Sequence, residues 1–323
     1  MIRATIAAMN RRAPIATCVL LSVHALVGCA TSAQALRPSA GRTYRVRVRR
    51  PVAVGFRYRV EGRGEVRHQS ETIDSFGRRS QGEEELSSAE FAGDVTVRAL
   101  DAEGYVSSVA IEVRRAVADD SERSWSFLAP GTTITIRPGA GDDAPRVEQE
   151  GSALDPSAMR YLTLAYDLRN LYGFREEFFG AAGRRAVGDR WPVPALSMVT
   201  VATTEATVTR EDGTRETIRL PPTASRNASS AEATLERVTR VDGVTCIEVR
   251  TSLRVDARGP EGVTAQQTHE WSMLLPRSRR RPPLGMTSRD MIDSWSTVTI
   301  DGRPVRNHLT GGRTTIVRFA EIP

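Results

Sequence analysis

The chain has 323 residues, 40% of them hydrophobic and 26% charged, enough apolar material for one large core or two ordinary ones and too much for wholesale disorder. All 45 basic residues are arginine; the missing lysine excludes Schiff-base and pyridoxal-phosphate enzymes, P-loop nucleotide hydrolases and protein kinases, each of which needs a lysine amine. The formal net charge of +6 includes Arg3, Arg11 and Arg12 among the first 28 residues; beyond them 42 basic residues face 39 acidic ones, and that net +3 gives no electrostatic reason to expect nucleic acid as a partner.

Residues 1–12 are positively charged, and residues 13–27 are mostly apolar through Ile15, Val19, Leu20, Leu21, Val23, Leu26 and Val27. This is the length of a signal-peptide core and too short for a membrane span. No later segment supplies eighteen uninterrupted apolar residues, so no transmembrane helix is expected beyond the leader. The core ends in Leu26-Val27-Gly28-Cys29, which resembles the lipobox of bacterial lipoproteins. The resemblance implies cleavage before Cys29, a diacylglycerol on its sulfur and acylation of its freed amine. Each buried methylene contributes about 0.8 kcal/mol, so one chain binds marginally whereas two or three anchor stably. Ala30, in place of aspartate, implies forwarding to the outer membrane of a Gram-negative cell. Two alternatives stay open. Ala33-Gln34-Ala35 fits an ordinary cleavage site, which would release a periplasmic or secreted protein starting at Leu36. The Arg11-Arg12 pair points to twin-arginine export, although Ala13-Pro14 fits that motif poorly and general secretion is preferred.

The expected organisation is a signal peptide over 1–28, a tether over 29–40, a β-rich region over 41–145, and a helix with a second β-rich region over 146–323. From Tyr44 the dominant period is two. Tyr44, Val46, Val48, Val52, Val54, Phe56, Tyr58 and Val60 share one parity, and Arg45, Arg47, Arg49, Arg57 and Arg59 take the other. This predicts a strand pair, or one long bent strand, interrupted near Pro51. Val95, Val97 and Ala99 lead through residues 101–104 into a strand over 105–113, a hairpin. Ile134 and Ile136 mark a short strand before the Gly-, Asp- and Pro-rich loop 138–145, the best candidate boundary. Asp155 as N-cap and Pro156 at the first helical position open a helix. Ala158, Leu162, Ala165, Leu168 and Tyr172 continue it to a stop at Gly173.

Strands then return, with Asp212-Gly213, Asp242-Gly243 and Asp301-Gly302 as turns. Ile247, Val249, Thr251, Leu253 and Val255 alternate with Glu248, Arg250, Ser252 and Arg254. Val263, Ala265, Gln267, His269, Trp271, Met273 and Leu275 form a second series, joined to the first by a hairpin over 256–262. The fold class is mainly β (α+β): a large curved antiparallel sheet, or two related sheets, with at least one packed helix. In outline this resembles the half-barrel carriers of bacterial lipoprotein sorting. Gly188-Asp189-Arg190-Trp191 resembles a segment of exported β-rich bacterial proteins and transfers no function.

Beyond the leader the histidines are His68, His269 and His308. None has a partner at i+4, and neither H-E-x-x-H, C-x-x-C nor G-x-S-x-G occurs, so no metal, cofactor or catalytic residue is assigned. His269 falls in the inward series, where a hydrogen-bonded core histidine is expected. With Cys18 in the leader and Cys29 acylated, Cys246 is the remaining thiol and is expected in the core. Arg45, Arg47 and Arg49, and Arg277, Arg279, Arg280 and Arg281 before Pro282-Pro283, are either contacts to anionic lipid or cell-wall polymer, or solvated faces. Tyr44, Phe56, Tyr58, Trp271, Met273 and Trp295 either line an apolar pocket or belong to a packed core. The expected activity is non-enzymatic: a membrane-anchored binding or envelope-structural module whose partner is an envelope polymer, a protein or an apolar ligand. A carrier of a lipid is the alternative and an envelope hydrolase the third reading.

Overall fold

The structure is a computed structural model, and it describes residues 34–36, 41–47, 52–82, 84–120, 123–137, 145–166, 168, 179, 183–193, 204–209, 215–220, 230–258, 264–278, 281, 283–300 and 303–322. In chain order the strands are β1 (Gln34–Ala35), β2 (Thr43–Val46), β3 (Arg57–Ile73), β4 (Arg79–Gln81), β5 (Glu85–Leu100), β6 (Val106–Asp120), β7 (Ser124–Ser126), β8 (Thr133–Arg137), β9 (Arg146–Gln149) and β10 (Ser152–Ala153). The helix α1 (Pro156–Ala165) follows, then β11 (Gly183–Ala186), β12 (Arg190–Pro192), β13 (Thr204–Thr209), β14 (Arg215–Leu220), β15 (Ser230–Val241), β16 (Val244–Arg258), β17 (Thr264–Pro276), β18 (Gly285–Ile300) and β19 (Arg303–Glu321).

One large antiparallel sheet runs β1-β15-β16-β17-β18-β19-β3-β5-β6-β8-β9-β10, with β12, β4 and β7 added at its flanks; β2 and β11 form a separate pair, as do β13 and β14. Two meanders compose the sheet. The C-terminal one joins the N-terminal one where β19 lies along β3, in register from Arg306↔Ile73 to Glu321↔Tyr58. The regions 41–145 and 146–323 therefore share a sheet, and β8 and β9 pair across the loop between them as Arg137↔Arg146. The run from Tyr44 to Val60 divides into β2 and β3, which belong to different sheets; between them Gly55 turns the chain at φ 87° and Val54 is 62% exposed. At Asp242-Gly243 both residues have positive φ, 48° and 75°, which matches the twist of the β15–β16 hairpin.

Strand alternation gives the sheet two unlike faces. On the inner face, Tyr58, Val60, Phe91, Val95, Ile111, Met273, Leu275, Val317 and Phe319 are buried in one core with the helix. On the outer face of β3, Glu61, Arg63, Glu65, Arg67 and Gln69 are all exposed. Cys246 is buried.

The helix starts as its sequence predicts. Asp155 accepts from the backbone N–H of Ser157 at 2.9 Å and of Ala158 at 3.2 Å, satisfying two donors that the first turn cannot. It ends earlier than expected, at Ala165, because Tyr166 turns extended at φ −131°, ψ 97°. Tyr166 stacks on Phe91 at 6.1 Å and its hydroxyl pairs with Tyr58, whose buried phenol is pushed up to about 12. Of the residues expected to continue the helix, Leu168 is buried, and Tyr172 and Gly173 lie outside the described residues. Gly62 and Gly64 set how close α1 comes: a Cβ on Gly62 would strike the Ala165 carbonyl, and one on Gly64 the Leu164 carbonyl.

Across the outer face, Asp94 on β5 is 7% exposed and accepts from Arg59 Nε at 3.0 Å and from Arg114 Nη2. Arg114 reaches it from the β-bulge in β6 opposite Ala92 and Gly93. The Arg114 hydrogen bond, aided by Arg59 against the opposing effect of burial, holds the Asp94 carboxyl below the usual aspartate value.

Two predictions follow from these contacts. Gly64→Val forces α1 off the sheet and should lower stability by about 2–3 kcal/mol, read as a lower urea midpoint at unchanged slope. Because the folded Asp94 carboxyl titrates below its unfolded value, its stabilisation is present above about pH 4 and is lost as pH falls further. Asp94→Asn should therefore show a smaller drop in unfolding midpoint between pH 7 and pH 3 than the wild type. An equal drop would contradict the clamp.

Candidate polar site on the inner face

Past the C-terminal end of α1 the inner face changes from apolar to polar. Gln267, His269 and Trp271 alternate on β17, and Ile292, Asp290 and Ser288 stand opposite them on β18. Asp290 is in turn opposite Arg313, and Ser288 opposite Thr315, on β19. Gly311 lies beside His68 of β3, whose ring occupies the space a Cβ there would take.

His269 Nδ1 and Asp290 Oδ1 are 2.8 Å apart, with side chains 12% and 20% exposed. With the carboxylate as acceptor His269 donates from Nδ1, and in the neutral imidazole Nε2 is then an acceptor. The ring stacks on Trp271 at 5.7 Å and 12°. Ser288 is 1% exposed, and its Oγ has no hydrogen-bond partner among the described residues. It is not bonded to His269, so the Ser–His contact of a serine nucleophile is not made.

Arg313 ties this row to the helix. Its Nη2 donates to the Thr163 carbonyl and its Nε to Thr315 Oγ1 at 3.3 Å, while Thr315 Oγ1 donates to the Leu164 carbonyl at 2.9 Å. The final carbonyls of a helix have no partner within it and carry its negative dipole end, so a guanidinium and a hydroxyl there act both as caps and as charge complement.

Of the six residues considered for an apolar pocket or a packed core, five meet in one core: Tyr44, Tyr58 and Met273 are buried in it, and Phe56 and Trp271 pack against it. Trp295 is on the outer face, since Trp271 pairs with Ser288 and Trp295 is an odd number of residues farther along β18. There it stacks on His308 at 3.9 Å, with Arg306 4.7 Å from its ring and His308 Nε2 3.0 Å from Asp293. Of the arginine clusters, Arg277 lies 5.9 Å from the Tyr44 ring and Arg281 is exposed. Arg45 pairs across to Arg184 rather than to an acid. Arg49, Arg279 and Arg280, like Cys29 and the leader, lie outside the described residues. Residues 188–191 form a turn into β12 and have a structural role: Asp189 accepts from the Ala186 N–H at 2.6 Å and Trp191 Nε1 donates to the Phe179 carbonyl at 2.7 Å.

Asp290, Ser288 and Arg313 were not singled out from the sequence. Alternation along β18 and β19 was their available signal, but only the register between strands brings them to His269. Among the described residues no group of three or more His, Cys, Asp or Glu side chains is placed to hold a metal ion, and no helix is long and apolar enough to cross a membrane.

No protein-family model matches the chain, and no curated protein is significantly similar to it. Among solved structures, the toluene transporter TodX of P. putida is 9% identical, over 84% of this chain and 91% of that one, with a TM-score of 0.18. A Pseudomonas aeruginosa FadL homologue is 8% identical over 82% and 90%, at a TM-score of 0.17. The outer membrane protein OmpT of Vibrio cholerae is 9% identical over 79% and 98%, at 0.16. Scores this low match antiparallel strand to antiparallel strand without a shared fold, and they carry no functional information.

Replacing Arg313 with Met removes a charged donor from the end of α1. It should cost about 2 kcal/mol in chemical unfolding, whereas Arg318→Met, exposed on the same strand, should stay within about 0.5 kcal/mol.

Proposed function

We propose that this protein is an exported binding module of the bacterial cell envelope, held on a membrane by lipid on Cys29 and non-enzymatic. The observation that carries the reading is the contrast between the faces of the sheet. Glu61, Arg63, Glu65, Arg67 and Gln69 are exposed on the outer face, whereas a strand in the wall of a transmembrane barrel turns an apolar band to lipid. Such a sheet belongs in water, and a water-borne sheet stays at a membrane only if something else holds it. The charged segment, short apolar core and Leu26-Val27-Gly28-Cys29 of the leader supply that anchor. Forwarding to the outer membrane follows from Ala30 under the same resemblance.

A binding role fits the inner face better than the lipid-carrier alternative does. Its apolar end is filled by α1, and beyond the helix His269, Asp290, Gln267 and Ser288 interrupt Trp271, Ile292, Leu253 and Val255, so the lining is mixed rather than continuously apolar. The hydrolase reading has a His–Asp pair in its favour but, among the described residues, no nucleophile bonded to it.

The test is metabolic labelling with a fatty acid followed by membrane fractionation. Wild type should carry label and sediment with membranes; Cys29→Ala should lose the label and appear in the soluble exported fraction. Label retained by the mutant, or a mature wild-type protein starting at Leu36, would overturn the anchor.

A further inference from the structure

We propose that the inner-face row of Gln267, His269 and Trp271, with Ser288 at its inner end, is a binding site for a neutral, hydroxyl-rich ligand, a saccharide. This goes beyond the envelope assignment and does not depend on the anchor.

The first reason is a local concentration of polar groups left without partners. His269 uses Nδ1 on Asp290, and its Nε2 has no partner among the described residues. The Gln267 carboxamide and the Trp271 indole N–H, on half-buried side chains, likewise bond to no described residue, and the Ser288 hydroxyl is buried without a partner among them. These four side chains occupy neighbouring positions on one face of two paired strands. A buried hydroxyl without a partner costs about 1–3 kcal/mol, and such groups are uncommon in folded proteins. Among the described residues these four adjacent polar functions are unused, and one external ligand would serve them together.

The second reason is the kind of group left over. The charges of the region are already engaged: Asp290 holds His269, and Arg313, directly opposite Asp290, holds the carbonyl end of α1. Among the described residues, both charges of the row are thus engaged rather than free to select an ion. What remains is a donor that cannot accept (the indole N–H), a ring nitrogen that accepts in the neutral imidazole (Nε2), and two groups that do both (the carboxamide and the hydroxyl). A ligand that satisfies all of them must offer donors and acceptors at several close positions. Sugar hydroxyls do this, each giving one proton and receiving others. The Trp271–His269 stack adds flat, weakly polar surface, against which the C–H faces of a sugar ring can pack. A fatty chain would leave all four groups unsatisfied, and a phosphate or carboxylate would meet the Asp290 carboxylate.

The experiment is a binding screen on the purified full chain, any detergent used having a head group without sugar. An array of immobilised neutral and anionic mono- and oligosaccharides identifies the ligand. Titration of the purified chain with the free saccharide, followed by tryptophan fluorescence, gives the affinity, and its dependence on oligomer length separates a free sugar from a polymer. The expected result is selective binding of a neutral saccharide, weakened at least tenfold by Gln267→Ala and by His269→Ala. Trp295→Phe on the opposite face should leave the affinity within twofold. Thermal unfolding of each variant checks that it is folded; should His269→Ala not fold, Gln267→Ala still decides. Absence of any neutral saccharide above background would overturn the proposal. So would affinity unchanged in the folded variants, or binding of anionic glycans alone, which would implicate the arginine surfaces instead.

Discussion

The pairing of β19 with β3 is the constraint on which the rest of this structure depends. It joins the last strand to one of the first and converts two meanders into one sheet. The register also puts Val317 beside Gly62 and Thr315 beside Gly64, so that the flattest part of the inner face lies next to the hydroxyl that meets the helix end. A slip of one residue would turn the apolar set outward and the charged set inward. Both the core and the capping of α1 therefore rest on one alignment between segments far apart in sequence.

That alignment explains why α1 is short. A helix continuing through Leu168 and Tyr172 would extend the apolar stripe that the spacing shows. The sheet imposes a different end: Gly62 and Gly64 bring the carbonyls of Ala165 and Leu164 onto the strands, and Arg313 and Thr315 hold those of Thr163 and Leu164. Tyr166 then leaves the helix to place its ring on Phe91. Local propensity sets the start through Asp155 and Pro156; tertiary contact sets the stop.

Much of the fold could be read from the chain because its determinants are local. Alternation marks β16 and β17, Asp242-Gly243 marks their entry turn, and Asp155 marks the cap. The parts that escaped reading depend on which strand lies beside which. The segment Glu61 to Ile73 reads as polar because one face is charged and the other holds Gly62 and Gly64, so the strand's length is hidden. His269 could be assigned to the inward series, yet Asp290 as its partner required the β17–β18 register. Grouping Trp295 with Trp271 failed for the same reason: each strand has its own parity, and composition does not relate the two. The proposed anchor is a separate case, since its motif stands in residues 26–29 and lies outside the described ones.

The inner face also shows how the sheet separates two kinds of polar group. Asp290 and Arg313 are charged and partly withdrawn from water, where an unpaired ion would be costly, and each has a partner. The neutral groups beside them are different. Leaving a hydroxyl, an amide, an indole N–H and an imidazole nitrogen open costs far less than leaving an ion open, so a fold can tolerate them without collapsing the site. Satisfied charges make the row rigid, because His269 cannot turn without losing Asp290, nor Arg313 without uncapping α1. Rigid support with open neutral groups is the arrangement in which binding loses least to reorganisation. The same register that holds the helix therefore also holds the donors and acceptors in a fixed pattern on the inner face beyond the helix.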